Sequence, residues 1–299
     1  MFGLAGLAPI DGWVAVAILA KATGYALALL AMGGPLFLLV FEREANANGR
    51  ALGRFVRRAT AVCALALLAV LALRLGIRSA RISGMGLDSM TDPTMLGVVW
   101  DSPLGAAALW RGFGAALALF ALVPSRVALI PAALGAVLIA ISYAQVGHSL
   151  GEPRWLLGPL LIAHLLAAAY WVGALLPLRR AAVGAGGAAL LHRFGAIATG
   201  VVGLLVAVGV SFAWFLAGSP AALLGTAYGW TLVAKVAVVA ALLALAALNK
   251  LRLVPALAGG DPGAAPALRR SIAWEGAAVA LILLATATLT TITTPPVNS

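Results

Sequence analysis

Residues 15–41 read AVAILAKATGYALALLAMGGPLFLLVF, a run whose one charge is Lys21. A helix needs about 20 apolar residues to cross the hydrocarbon core of a bilayer, and comparable runs recur along the chain. Lipid offers the backbone no hydrogen bonds, so a spanning chain must be a set of helices or a closed barrel. Barrel strands alternate apolar and polar residues over about ten positions. These runs are long and unalternated, so the expectation is an all-α polytopic membrane helical bundle. The 10% of charged residues against 63% hydrophobic ones exclude an ordinary soluble domain, which carries roughly 25% charged residues.

Eight spans are expected, at about 13–40, 52–76, 104–123, 127–147, 156–178, 191–216, 226–249 and 269–292. Pro and Gly punctuate the joints, as at Pro103, Pro124, Pro153, Pro220 and GGDPGAAP over 259–266. Charge orients them. Arg43, Arg50, Arg54, Arg57 and Arg58 fall in the first joint, Arg126 in the third and Arg179, Arg180 and Arg193 in the fifth. Lys250, Arg252, Arg269 and Arg270 fall in the seventh. Every second loop is basic, which makes these loops cytoplasmic by the positive-inside rule and puts both termini outside. The exception is Arg74, Arg78 and Arg81 after span two, expected to face Asp88, Asp92 and Asp101. The net charge of +11 therefore reads as topology and not as a nucleic-acid surface. The first residues, MFGLAGLAPID, lack a basic leader pattern and read as the approach to a first span. The chain is treated as one membrane domain, 1–299, made of an N-terminal four-helix half (1–150) and a C-terminal one (151–299).

Ionisable groups within spans are costly and default to function. Lys21, Tyr25 and Met32 share one stripe of span one, and His164 and Trp171 one of span five. Tyr228, Lys235 and Asn249 share a stripe of span seven, and Glu275, Thr286 and Thr293 one of span eight. Each stripe is expected to face the bundle interior. Lys21 also fits a snorkelling lysine, and the threonines fit helix packing and bonds to their own backbone. Lys235 and Glu275 are expected at different depths, roughly 10 Å or more apart at about 1.5 Å per residue.

The loop SGMGLDSMTDPTMLG carries Met85, Met90 and Met95, three of the five methionines. Thioether sulfur selects Cu(I), and imidazole suits copper in either oxidation state. With His148 in the next outer loop and His164 inside span five, these residues outline a copper entry path. The single cysteine, Cys63, excludes an intrachain disulfide and a cysteine-built metal cage.

Several tracts in order then resemble one family. HLLAAAYWVGALLPL at 164–178, RFGAIA at 193–198 and GTAYGWTLVAKVAVVAALLALAALNKLRLVP at 225–255 are similar to elements of the CopD/PcoD copper-resistance membrane proteins. Glu275 falls where that family has a glutamate in its last span. LGVVWDSPLGAAALWRG and the pair Gly147–His148 resemble further elements of the first half. Gly195 departs from the pattern, in which a serine is usual, and is given no role. The resemblance implies a multi-pass protein of the bacterial inner membrane that moves copper ions from periplasm to cytoplasm. It also implies a separate periplasmic CopC-like copper-binding protein as partner, beside the lipid bilayer itself. The residues carried over are His148, His164, Trp171, Tyr228, Lys235, Asn249 and Glu275.

The resulting expectation is a copper permease and not an enzyme. Met85, Met90, Met95 and His148 collect the ion and His164 takes it into the bundle. Trp171, Tyr228 and Asn249 shape the path, Lys235 gates it, and Glu275 offers an oxygen ligand near the inner exit. His192 at the inner face is expected to be solvated. No nucleotide-binding motif is present to couple transport to ATP. Two rivals stand beside this: a haem-binding electron-transfer bundle, which needs a second deep histidine, and a scaffold that docks the periplasmic protein without a pore.

Overall fold

The computed structural model describes residues 11–47, 50–146, 153–217 and 227–292. Every regular element among them is helical. In chain order these are α1 (Gly12–Asn46), α2 (Ala51–Ser83), a 3-10 turn (Gly86–Met90), α3 (Pro93–Trp100) and α4 (Pro103–Ala118). A 3-10 turn (Leu119–Leu122) prolongs α4. Then come α5 (Leu129–Ala144), α6 (Arg154–Ala181), α7 (Gly187–Ala217), α8 (Ala227–Leu248), a π-helical turn (Asn249–Leu253), α9 (Val254–Ala258) and α10 (Ala264–Ile292). Seven of the described helices are long and apolar enough to cross a bilayer; α5, at 16 residues, is apolar but shorter.

The helices outrun the expected spans, and this moves two groups of residues. Helix α2 continues to Ser83, so Arg74, Arg78 and Arg81 are helical, and the expected loop 77–103 is a 3-10 turn and a short helix folded back on α2. Asp92 caps α3 by accepting from Met95 N at 2.8 Å, and Pro93 follows at the first helical position, which needs no N–H donor. Among the described residues, no ion pair joins Asp88, Asp92 or Asp101 to Arg74, Arg78 or Arg81, contrary to the expected facing of acids and bases. At the other end of the chain, α10 begins at Ala264 and not near 269, which leaves Glu275 eleven residues inside the helix.

The basic joints share one end of the bundle. Arg57, placed by the sequence in a loop, is buried within α2. It donates to Glu42 at 2.8 Å and to the Ala121 and Val123 carbonyls at 2.8 and 2.6 Å, while Arg126 reaches the same Glu42 at 2.9 Å. Arg193 pairs with Glu44, and Arg179 donates to the Arg269 carbonyl at 3.2 Å. These bonds tie the α1–α2, α4–α5, α6–α7 and α9–α10 joints together; we call this the arginine end. The opposite end carries the methionine-bearing turn. The start of α1 and the finish of α10 meet there, where Val14 and Ile18 pack with Ala287 and Ile292.

Helix α1 is the axis, packing on α2, α4, α5, α6 and α10. Its approach to α6 is backbone to backbone. A Cβ added at Gly33 would overlap the Ala169 carbonyl and the Gly173 Cα, and one added at Gly173 would overlap Gly33. Membrane helices lack a hydrophobic drive to associate and rely on small residues for such contacts. Helices α7 and α8 lie outermost and turn mostly apolar side chains outward, Val210, Trp214, Trp230 and Val236 among them.

Candidate functional site

Three elements converge on Glu275. Pro255, early in α9, has no N–H for a bond to the Leu251 carbonyl, and the chain just before it takes a π-helical turn in which the Val254 N–H reaches back to Asn249 O. That turn holds Asn249 buried at the end of α8, where its Nδ2 donates to Glu275 Oε1. From α6, the Trp171 indole donates to Glu275 Oε2 at 3.2 Å. Both carboxylate oxygens thus accept a hydrogen bond in a site only 4% exposed, the condition under which a buried acid is tolerated. Two further buried oxygens nearby in the fold, Asn249 Oδ1 and Ser271 Oγ one turn before Glu275, have no hydrogen-bond partner.

An aromatic wall closes the arginine-end side. Phe194 stacks on Tyr170 with centroids 5.3 Å apart, meets Trp171 edge-on at 6.5 Å and lies 6.2 Å from Phe41. Arg193 covers Phe41 at 5.3 Å while holding Glu44. The RFGAIA tract therefore fixes the shape around the acid from α7. Gly195 of that tract faces the aliphatic stem of Lys250.

A second station lies seven residues along α6 toward the methionine end, about 10 Å away at 1.5 Å per residue. There the His164 Nδ1 is buried without a hydrogen-bond partner. Lys235 of α8 lies within electrostatic reach of it. Among the described residues, no carboxylate pairs with Lys235. The two stations differ in chemistry: an imidazole nitrogen without a partner near the Lys235 amine, then a carboxyl group held by two neutral donors.

The remaining expected residues fall as follows. Met85 stands exposed, whereas Met90 packs its side chain on α2 at Gly76, and Met95 opens α3. Among the described residues, no group of three or more His, Cys, Asp or Glu gathers as a metal cage. His148 and Thr293 lie outside the described residues, as does the side chain of Tyr228, whose backbone opens α8. His192 is exposed. Thr286 donates back to the Ile282 carbonyl at 2.7 Å, a bond to its own helix. The Lys21 Nζ donates to the Thr290 carbonyl at 2.7 Å and to Thr291 Oγ1 at 3.3 Å in the last turn of α10. Sequence reasoning missed Arg111. It is 4% exposed in α4 and bound to Ser142 Oγ at 3.0 Å; the sequence marked it as an arginine amid apolar residues, within the tract LGVVWDSPLGAAALWRG, but gave it no role.

Two family models match the chain: copper resistance protein D over residues 188–289, and copper resistance protein D-like, N-terminal domain, over residues 10–158. The chain belongs to the copper resistance protein D family. Membership gives this multi-pass membrane protein a role in copper resistance and homeostasis. No curated protein and no solved structure is matched. The copper resistance protein D match includes Lys235, Asn249 and Glu275, whereas His164 and Trp171 fall on α6 between the two matched stretches.

Proposed function

We propose that the protein carries copper ions across the bacterial inner membrane, from periplasm to cytoplasm. The observation that carries this reading is the pair of stations strung along α6: the unpartnered His164 Nδ1, then Glu275 held by Trp171 and Asn249. The positive-inside rule puts the arginine end in the cytoplasm, so cargo enters at the methionine end. Met85, Met90, Met95 and His148 collect it there, delivered by a periplasmic CopC-like protein. Imidazole nitrogen is a good copper ligand, and His164 takes the ion into the bundle. The Lys235 ammonium opposes a long stay at that point. The Glu275 carboxylate, with the unpaired Asn249 Oδ1 beside it, draws the cation onward. Tyr228 belongs to the same path. Transport and not catalysis is the activity.

Proteoliposomes loaded with a copper-sensitive dye test this. Wild-type vesicles should brighten on external copper, and His164→Ala vesicles should lose most of that signal. Uptake that persists unchanged would remove His164 from the path. An optical spectrum separates the haem alternative, since a stoichiometric Soret band would replace the permease reading with electron transfer.

A further inference from the structure

Among the described residues, a buried arginine of the N-terminal half and the half-buried basic side chains around it have no acidic partner. On α2, Arg74, Arg78 and Arg81 form one helical stripe. Exposed Arg78 leads to Arg74, which folds over Gly24 of α1 with Nη1 3.6 Å from where a Cβ would stand. Lys21 lies one turn away on α1 and is within electrostatic reach of Arg74, Arg78, Arg81 and Arg111. Arg111 is the deepest member, buried between α4 and α5 with its guanidinium 3.9 Å from the centre of the Tyr143 ring. Its side-chain hydrogen-bond partner among the described residues is neutral, Ser142. The Tyr25 ring lies tilted against that of Tyr143 with centroids 5.5 Å apart, and the Tyr143 hydroxyl is buried with no hydrogen-bond partner.

Among the described residues, all three ion pairs lie at the arginine end, and none involves this cluster. Among the described residues, the acids of the methionine end do not supply the missing charge; Glu152 lies outside them. Asp11 and Asp92 cap helices α1 and α3, and Asp88 and Asp101 are exposed. A buried cation without a counter-ion is strongly disfavoured. A copper cation is repelled by the guanidinium groups of Arg74, Arg78, Arg81 and Arg111, so the group that belongs here is an anion.

Depth narrows its chemistry. Lys21 stands 21 residues from Glu42 along α1, and Arg74 stands 17 from Arg57 along α2. At about 1.5 Å per residue these are roughly 32 and 26 Å, close to the ~30 Å thickness of a bilayer's hydrocarbon core. The Glu42–Arg57–Arg126 network and the Lys21–Arg74 pair therefore sit one hydrocarbon thickness apart, so the latter lies at the level of the opposite leaflet's phosphates. Guanidinium groups match phosphate oxygens in a two-pronged geometry. We propose that Lys21, Arg74 and Arg111 form a binding site for a phosphate-class oxyanion, with the Tyr143 hydroxyl as a further donor. The anion is a lipid headgroup or a free ion entering past Arg78 and Arg81.

The test uses the full-length protein, washed of lipid in detergent, and reads thermal unfolding and native mass spectra rather than copper uptake. Phosphatidylglycerol should raise the unfolding midpoint by several degrees and remain bound at about one per chain, while phosphatidylcholine should do neither. Arg74→Gln and Lys21→Gln should each weaken phosphatidylglycerol binding about tenfold, the loss of one charge-assisted contact. Arg270→Gln, at the exposed arginine end, should leave it intact. Arg111→Lys keeps the buried charge and guards against a variant that merely fails to fold; it should bind more weakly yet unfold cooperatively. Inorganic phosphate producing the same variant-sensitive shift, with no effect of phosphatidylglycerol, would assign the site to a free oxyanion. Equal stabilisation by phosphatidylcholine, or a phosphatidylglycerol shift that survives both glutamine variants, overturns the proposal.

Discussion

The buried acid of the C-terminal half and the buried arginine of the N-terminal half are satisfied differently. In the C-terminal half, Glu275 has a neutral donor on each oxygen and unpaired oxygens nearby, so the site has spare lone pairs to offer a cation. In the N-terminal half, the partners of Arg111 and Lys21 among the described residues are neutral, and further basic side chains lie around them. A single transport path through both would present a copper ion with an attractive and a repulsive interior in turn. The contrast sets the interior part of the proposed copper path, at His164 and Glu275, apart from the basic cluster around Arg111.

The strongest blow to that contrast is to make the C-terminal site resemble the N-terminal one. Glu275→Lys should abolish copper uptake by proteoliposomes, a fall of a hundredfold or more, because it leaves a cation where the cargo needs an anion. Normal uptake by that variant would mean that the charge difference has no part in transport. Next in size is Arg57→Ala at the arginine end. Removing one partner of a buried ion pair costs about 3–5 kcal/mol, here with two carbonyl bonds lost as well, and equilibrium unfolding in mixed micelles should show it. Trp171→Phe keeps the ring packing and deletes one donor to a carboxylate, worth about 1.5–3 kcal/mol. Its expected result is a drop in uptake of about tenfold at unchanged expression. The smallest effect should come from Met85→Ser. Met85 stands exposed on the methionine-end turn, so its loss should raise the copper concentration for half-maximal uptake by less than threefold and leave the maximal rate alone. A large fall in maximal rate would move Met85 from the collecting surface into the path itself.

Much of the fold was legible because lipid imposes one rule: long apolar runs must be helices. The basic joints were legible too, since arginines that cannot enter lipid mark the turns. What the sequence did not show was where helices stop. Helix α2 runs on through Arg74, Arg78 and Arg81, because a helix projecting past the bilayer no longer needs apolar residues. The acids Asp88, Asp92 and Asp101 looked like partners for those arginines by proximity in sequence, yet Asp92 has its own helix to cap. Trp171, Asn249 and Glu275 were each legible as polar groups on interior stripes. Their meeting was not, because it depends on the π-helical turn before Pro255, a register shift that periodicity cannot carry. Arg111 was missed because a lone arginine in an apolar helix gives no hint of whether it points outward or is bound to Ser142 inside.

The contact at Gly33 and Gly173 limits how such a bundle can move. Where two backbones touch with no side chains between them, there are no alternative rotamers to slip past one another, and any sliding along that seam breaks atomic contact at once. Helices α1 and α6 therefore behave as a keel. If copper is carried as proposed, motion around the cargo is expected of the outermost helices, α7 and α8, against an edge that carries both His164 and Trp171.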